Sequence, residues 1–169
     1  MMIEIILCNP FINKGKSLKK IESVGELIEN IFPISSDHFC LVWNNIEIHL
    51  SYKYDLSVIF DDFVYMYKFL ESTEKDLQIF FPSNTFDVRW DIEKNDAHIL
   101  ISSYWNTVLS HNEKLLNENA HLKITSSSFK KELSKLLRFI YDIIIDIHSD
   151  IEEQLFSDLL ENKPFSLNL

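Results

Sequence analysis

Residues 77–105 read LQIFFPSNTFDVRWDIEKNDAHILISSYW and contain the clearest structural signal in the chain. From Phe86 to Ile92, every second side chain is apolar and those between are charged. This alternation is typical of a strand with one buried face. Residues 82–84 and 94–96 are composed largely of turn-forming residues. The stretch therefore predicts three consecutive strands in an antiparallel sheet.

Two further strand regions precede this stretch. Residues 2–7 are short and rich in Ile, which favours a strand. Residues 38–52 predict a hairpin, because apolar and polar side chains alternate over residues 46–52. Asn44 and Asn45 lie between its two arms, and Asn tolerates the positive φ angles that tight hairpin turns need.

Apolar residues at intervals of three and four predict three helices. Their expected limits are near Ser17 to Pro33, about 56–71 with Asp55 or Ser57 as the cap, and 125–128 to about Asn162. Residues 106–120 are polar and predict mostly loop, with a short helix at 109–116 as an alternative. Residues 121–125 predict a final strand.

The order of these elements predicts a single α+β domain over residues 1–169. An antiparallel sheet of about five to seven strands is expected to pack against helices, with a long C-terminal helix. The chain has 169 residues, of which 46% are hydrophobic and 13% aromatic. That composition is sufficient for a substantial core and unlike that of a disordered chain.

The chain is acidic, with 26 Asp and Glu residues, 16 Lys and Arg residues and a net charge of −10. Nucleic-acid binding requires a basic face, so we expect no direct nucleic-acid partner, whereas a basic protein partner is electrostatically compatible. No stretch approaches the about 20 apolar residues that span a bilayer, and the apolar run at 3–7 lacks a basic leader. We therefore expect a cytoplasmic protein that has no membrane partner.

The residues that carry most enzyme chemistry are missing or scattered. With only two glycines, the chain has no glycine-rich phosphate loop or nucleophile elbow. His49 and His98, both in predicted strands, could meet in a metal or acid–base site, and Cys8 or Cys40 beside a histidine could form a thiol nucleophile. No close ligand spacing or nucleophile signature accompanies them, so structural roles are favoured. We expect neither catalysis nor a cofactor.

Several residues outside the last helix are candidate partner contacts. Asp61 and Asp62 are adjacent in the second predicted helix, where side chains point about 100° apart and cannot converge on one ion by themselves. Attraction to the positive end of the helix is the simpler explanation of these charges, and contact with a basic partner is the functional one. Aromatic residues that could serve either as interface anchors or as core are Tyr65, Tyr67, Phe69, Tyr104 and Trp105.

The last helix carries the strongest charge pattern. Seven carboxylates and no Lys or Arg lie between Phe139 and Asn162. Four of them follow 4-4-3 spacing and share one helix face, namely Asp142, Asp146, Asp150 and Glu153. Like charges at this spacing repel, and acids near a helix C-terminus are unfavourable, so the pattern indicates functional constraint. A merely solvated face is the alternative.

Three segments resemble the immunity proteins of bacterial toxin–immunity systems, particularly those of contact-dependent growth inhibition. They are residues 46–52, the following residues 54–62, and the helix start at 124–129. The resemblance implies a protein that binds a cognate toxin domain, often a basic nuclease, and blocks its active site or substrate surface.

An acidic surface is the expected contact region in that interpretation. Its proposed members are Asp146, Asp150 and Glu153, together with Asp61 and Asp62. Their carboxylates would meet Lys or Arg residues that normally hold phosphate. The competing interpretations are a structural or adaptor protein, with a homodimer as one form of it, and a small metal-dependent hydrolase.

Overall fold

Two antiparallel sheets containing seven strands appear in the computed structural model, which describes residues 2–13, 21–36, 38–95 and 97–147. The first sheet contains, in spatial order, β1 (Ile3–Ile6), β2 (His38–Trp43) and β3 (Ile46–Ser51). The second contains β4 (Asp76–Ser83), β5 (Phe86–Lys94), β6 (His98–Val108) and β7 (His121–Thr125). The predicted α+β class with antiparallel strands is confirmed. The π-helical turn and α2 lie between β3 and β4, where the chain passes from the first sheet to the second.

The helical elements of the described ranges are α1 (Val24–Ile31), a π-helical turn (Tyr52–Leu56), α2 (Ser57–Glu71), α3 (Glu113–Glu118) and α4 (Ser126–Ile147). Helix α1 begins at Val24 because Ser23 Oγ accepts a hydrogen bond from Glu26 N at 3.1 Å. The predicted start of this helix near Ser17 was wrong, because residues 21–23 lie before it and are not helical. Ser17 itself and the predicted continuation of α4 towards Asn162 lie outside the described residues. Within those ranges, no helix has both the length and the apolar character that crossing a membrane requires.

Two local predictions were wrong. Neither Asp55 nor Ser57 caps α2, because Ser51 caps the preceding π-helical turn and the Asp55 side chain is buried. Residues 106–120 are mostly regular structure, since β6 continues to residue 108 and α3 follows. The polarity of this segment arises in part because Asn106 lies on the solvent-facing side of β6.

Three tryptophans join the two sheets. The ring centre of Trp43 on β2 lies 5.3 Å from that of Trp90 on β5 and 5.2 Å from that of Trp105 on β6. All three side chains are fully buried, and Trp43 Nε1 donates to the carbonyl oxygen of Asn119 at 2.8 Å. The inner faces of the two sheets therefore share one hydrophobic core.

The β2–β3 turn is the tight turn that the sequence predicts. Asn44 and Asn45 have φ angles of 49° and 67°, which Asn tolerates. Asn44 Nδ2 also donates to the carbonyl oxygens of Asn119 and His121 at 3.2 and 3.1 Å. The turn thus connects the first sheet to the start of β7.

Gly25 allows α1 to approach α2 closely. A Cβ atom at this position would collide with the carbonyl oxygen of Ser57. Glycine normally weakens a helix, and here the close approach explains its presence.

Candidate functional site

The acidic residues proposed as partner contacts occupy two different helices. On α2, Asp61 is exposed and Asp62 is half-buried, while Asp146 is exposed on α4. Asp61 and Asp62 are consecutive residues of α2, and the charge of Asp61 acts on the Asp62 carboxyl. Asp150 and Glu153 lie outside the described residues.

The environment of Asp62 disfavours its charged form, and the helix does not stabilise that charge. Burial, and secondarily the charge of Asp61, raise the pKa of Asp62 to about 6. The first turn of α2 contains no acidic residue, so neither carboxylate gains from the helix dipole there. The explanation of this pair as favourable helix-start charges was therefore wrong.

Replacing Asp62 with Asn is expected to stabilise the protein at pH 7 by about 1 kcal/mol, a value discounted for partial solvation. The folded-state pKa of about 6 lies above the value of about 3.9 for an unfolded Asp. The folded state thus binds the proton more tightly, and stability is lost as the pH rises through this window. Urea unfolding of both proteins between pH 4 and pH 7 measures the difference.

Asp61→Asn is the matched control for this prediction, because Asp61 is the exposed neighbour on the same helix. It should have a smaller effect, which arises from removing the charge that acts on Asp62. If Asp62→Asn keeps the wild-type pH dependence, a different group titrates in this window.

The two candidate histidines, His49 and His98, lie in different sheets, although His49 is a cross-strand neighbour of the candidate Cys40. His49 on β3 is paired in register with Cys40 on β2, whereas His98 begins β6 in the other sheet. Burial raises the pKa of the Cys40 thiol, which is opposite to the activation that a nucleophilic cysteine needs. No group of three or more His, Cys, Asp or Glu residues in the described ranges is arranged to hold a metal ion.

The outward side of the four-stranded sheet is open to solvent, and we call it the open sheet face. Its residues alternate with the buried residues of β4 to β7. Phe80, Arg89 and Tyr104 are partners in register on three adjacent strands and form one row across it. Phe80 is 58% exposed and Tyr104 is 59% exposed. Two large aromatic rings therefore flank an arginine on a solvent-facing sheet.

Hydrogen bonds order the polar side chains beside this row. Asp91 Oδ1 accepts a hydrogen bond from Gln78 Nε2 at 2.5 Å, and Asp91 Oδ2 lies 3.2 Å from Arg89 Nε. Ser102 Oγ and His121 Nδ1 are 3.1 Å apart on the next strands. Carboxylates outnumber basic side chains on this face, with Asp76, Asp87, Asp91 and Glu93 against Arg89 and Lys123. The open sheet face thus has an aromatic centre with an acidic surround.

Sequence reasoning identified one part of this row. Tyr104 was among the candidate aromatic anchors, whereas Tyr67, Phe69 and Trp105 are buried. Phe80 was missed, although its place among the polar positions of β4 is a signal in the sequence. The position of Arg89 between the two rings could not be predicted, because it depends on the register of the three strands.

A cleft of about 590 Å³ lies beside the π-helical turn, and we call it the π-turn cleft. Its rim contains four exposed apolar side chains, which are Ile34, Tyr54, Val58 and Leu109. His38, Pro82 and Asn84 complete its sides. π-Helical turns often occur at functional sites, so this cleft is a second candidate site.

The floor of the π-turn cleft is built around the buried Asp55. Its carboxylate accepts hydrogen bonds from Ser51 N at 2.8 Å, from Thr85 Oγ1 at 2.6 Å and from Ser83 Oγ. These bonds fix the π-helical turn to the β4–β5 turn. The sequence predicted Asp55 only as a helix cap, because two of its three partners, Ser83 and Thr85, are about 30 residues away.

No protein-family model, curated protein or solved structure matches this chain. The resemblance to immunity proteins therefore depends on the segments at 46–62 and 124–129 alone.

Proposed function

We propose that the protein binds a basic partner protein through the open sheet face and acts by covering the partner's surface. The observation that carries this proposal is the row of Phe80, Arg89 and Tyr104. Aromatic residues and arginine are enriched at interfaces and provide most binding hot spots. A surface on which both rings are more than half exposed is best explained by a partner that buries them.

The charge of the open sheet face supports a basic partner. Its four carboxylates outnumber its two basic side chains, and one of those, Arg89, is already close to Asp91. Complementary charge orients a partner and speeds its association. An acidic surround with an aromatic centre also matches the usual division of an interface into a polar rim and an apolar core.

The partner that we propose is a toxin domain, which makes this chain a cytoplasmic immunity protein. A nuclease toxin would hold nucleic acid with Lys and Arg residues, and the carboxylates of the open sheet face would compete for them. Further electrostatic attraction to a basic partner would come from the acidic residues that the sequence predicted as contacts. These residues are Asp61, Asp62, Asp146, Asp150 and Glu153, and the aromatic row would form the centre of the interface.

Phe80→Ala and Tyr104→Ala are each expected to weaken partner binding about tenfold or more, because each removes a central aromatic contact. The tagged wild-type protein first captures the partner from a lysate of the source organism at low salt, and high salt releases it. Calorimetry with the purified partner then measures the affinity of each variant.

Tyr65→Ala is the matched control, since Tyr65 is similarly exposed but lies on α2. It should bind as tightly as the wild type. Wild-type affinity in both sheet variants would overturn the proposed surface. A homodimer is the competing function. In that case the capture experiment would find no partner, and light scattering would show a dimer that Tyr104→Ala dissociates.

A further inference from the structure

We propose that the π-turn cleft binds a lysine or arginine side chain of the partner. Its hydrocarbon stem would lie against the apolar rim and its charged head would reach the hydroxyl groups above Asp55. This inference rests on the proposed function and names the kind of residue by which the basic partner is anchored.

The charge of the cleft favours a cation. Among the described residues that line it, Asp55 is the one carboxylate and there is no Lys or Arg. Within the described residues, Asp55 takes its hydrogen bonds from a backbone amide and two hydroxyl groups and forms no ion pair. The hydroxyls of Ser83 and Thr85 donate to Asp55. Ser83 Oγ also accepts from Thr85 N at 3.4 Å, and each hydroxyl oxygen keeps a lone pair that can accept from an occupant. A cationic head would therefore meet oxygen acceptors backed by a buried negative charge.

The rim of the cleft suits the stem of the same side chain. Ile34 is 75% exposed and Val58 is 51% exposed, and Leu109 and Tyr54 lie beside them. Lys and Arg commonly bury their methylene groups on apolar surface while the charged end stays with polar groups. A wholly apolar occupant would cover the polar floor without satisfying it, which is unfavourable.

The cleft adjoins the open sheet face. Pro82 lines the cleft and also lies on the outward side of β4. Phe80 is two residues earlier on that same side, which corresponds to about 7 Å along a strand. A partner that covers Phe80 is thus within reach of the cleft.

Nuclear magnetic resonance with small probes tests the cleft without any partner. Titration with n-butylguanidinium chloride should shift the resonances of Ile34, Val58, Thr85 and Leu109 and should saturate in the millimolar range. The neutral isostere n-butylurea should bind these residues about tenfold more weakly, because it lacks the charge. Equal binding of both probes, or no shift with either, would overturn the proposal.

Two lysine variants provide a matched pair that does not depend on changing the buried Asp55. Val58→Lys places a competing ammonium group at the cleft and should weaken butylguanidinium binding at least about fivefold. Tyr65→Lys adds the same charge to a similarly exposed position elsewhere on α2 and should have little effect. Equal effects of the two variants would show that only net charge matters and would overturn the cleft site.

The two proposals fail in different ways. If the cleft is wrong, butylguanidinium does not bind selectively, while Phe80→Ala and Tyr104→Ala still weaken partner binding. If the open sheet face is wrong, those two variants bind normally, and selective binding of butylguanidinium at the cleft would still be observed.

Discussion

Trp43→Ala is expected to lower the free energy of unfolding by about 4 kcal/mol, which is a large part of the stability of an ordinary domain. Trp43 is fully buried and contacts Trp90 and Trp105 of the other sheet. Its removal leaves a cavity where the two sheets meet and also leaves the carbonyl oxygen of Asn119 without the indole donor.

Urea unfolding followed by far-ultraviolet circular dichroism measures this loss, since the substitution itself alters tryptophan fluorescence. Trp43→Phe keeps most of the ring volume and should cost about half as much. Tyr104→Ala, an aromatic truncation on the open sheet face, should change stability by less than about 0.5 kcal/mol. A loss for Trp43→Ala as small as that of Tyr104→Ala would mean that the tryptophan cluster does not hold the sheets together.

Asp55→Ala is expected to cost about 3 kcal/mol. The substitution leaves one backbone amide and two hydroxyl groups without their acceptor, all in the floor of the π-turn cleft. Ser83 is buried and Ser51 and Thr85 are half-buried, so water can replace the lost bonds only in part, which makes the loss costly. The π-helical turn would then lose its attachment to the β4–β5 turn.

The same unfolding experiment tests the Asp55 network, with Asp61→Ala as the control on an exposed residue of the neighbouring helix. Combining Asp55→Ala with Thr85→Val should lower the free energy of unfolding by less than the sum of the single variants. The reason is that Thr85→Val removes a donor that Asp55→Ala had left without an acceptor. Strict additivity would show that the two side chains do not act together.

Local sequence patterns predicted most of the elements. The alternation at 86–92 identified β5, and Asn44 and Asn45 identified a turn that forms with positive φ angles. The structure of the polar stretch at 106–120 was harder to predict, because the end of a strand and a short helix can have the same composition as a loop. Gly25 also appeared unfavourable for a helix until the position of Ser57 explained it.

The candidate sites depended on contacts between distant residues. Phe80 and Tyr104 are 24 positions apart and become neighbours of Arg89 only through strand register. Asp55 and Thr85 are 30 positions apart, and their hydrogen bond converts an expected helix cap into the floor of a cleft.

The α+β class, the positions of most strands and helices, and the acidic character follow from the amino-acid sequence, because side-chain period, turn chemistry and charge are properties of consecutive residues. The division into two sheets, the exposure of one sheet face and the burial of Asp55 follow from tertiary structure. Those features arise from pairing and packing between residues far apart in the chain, which local patterns do not encode.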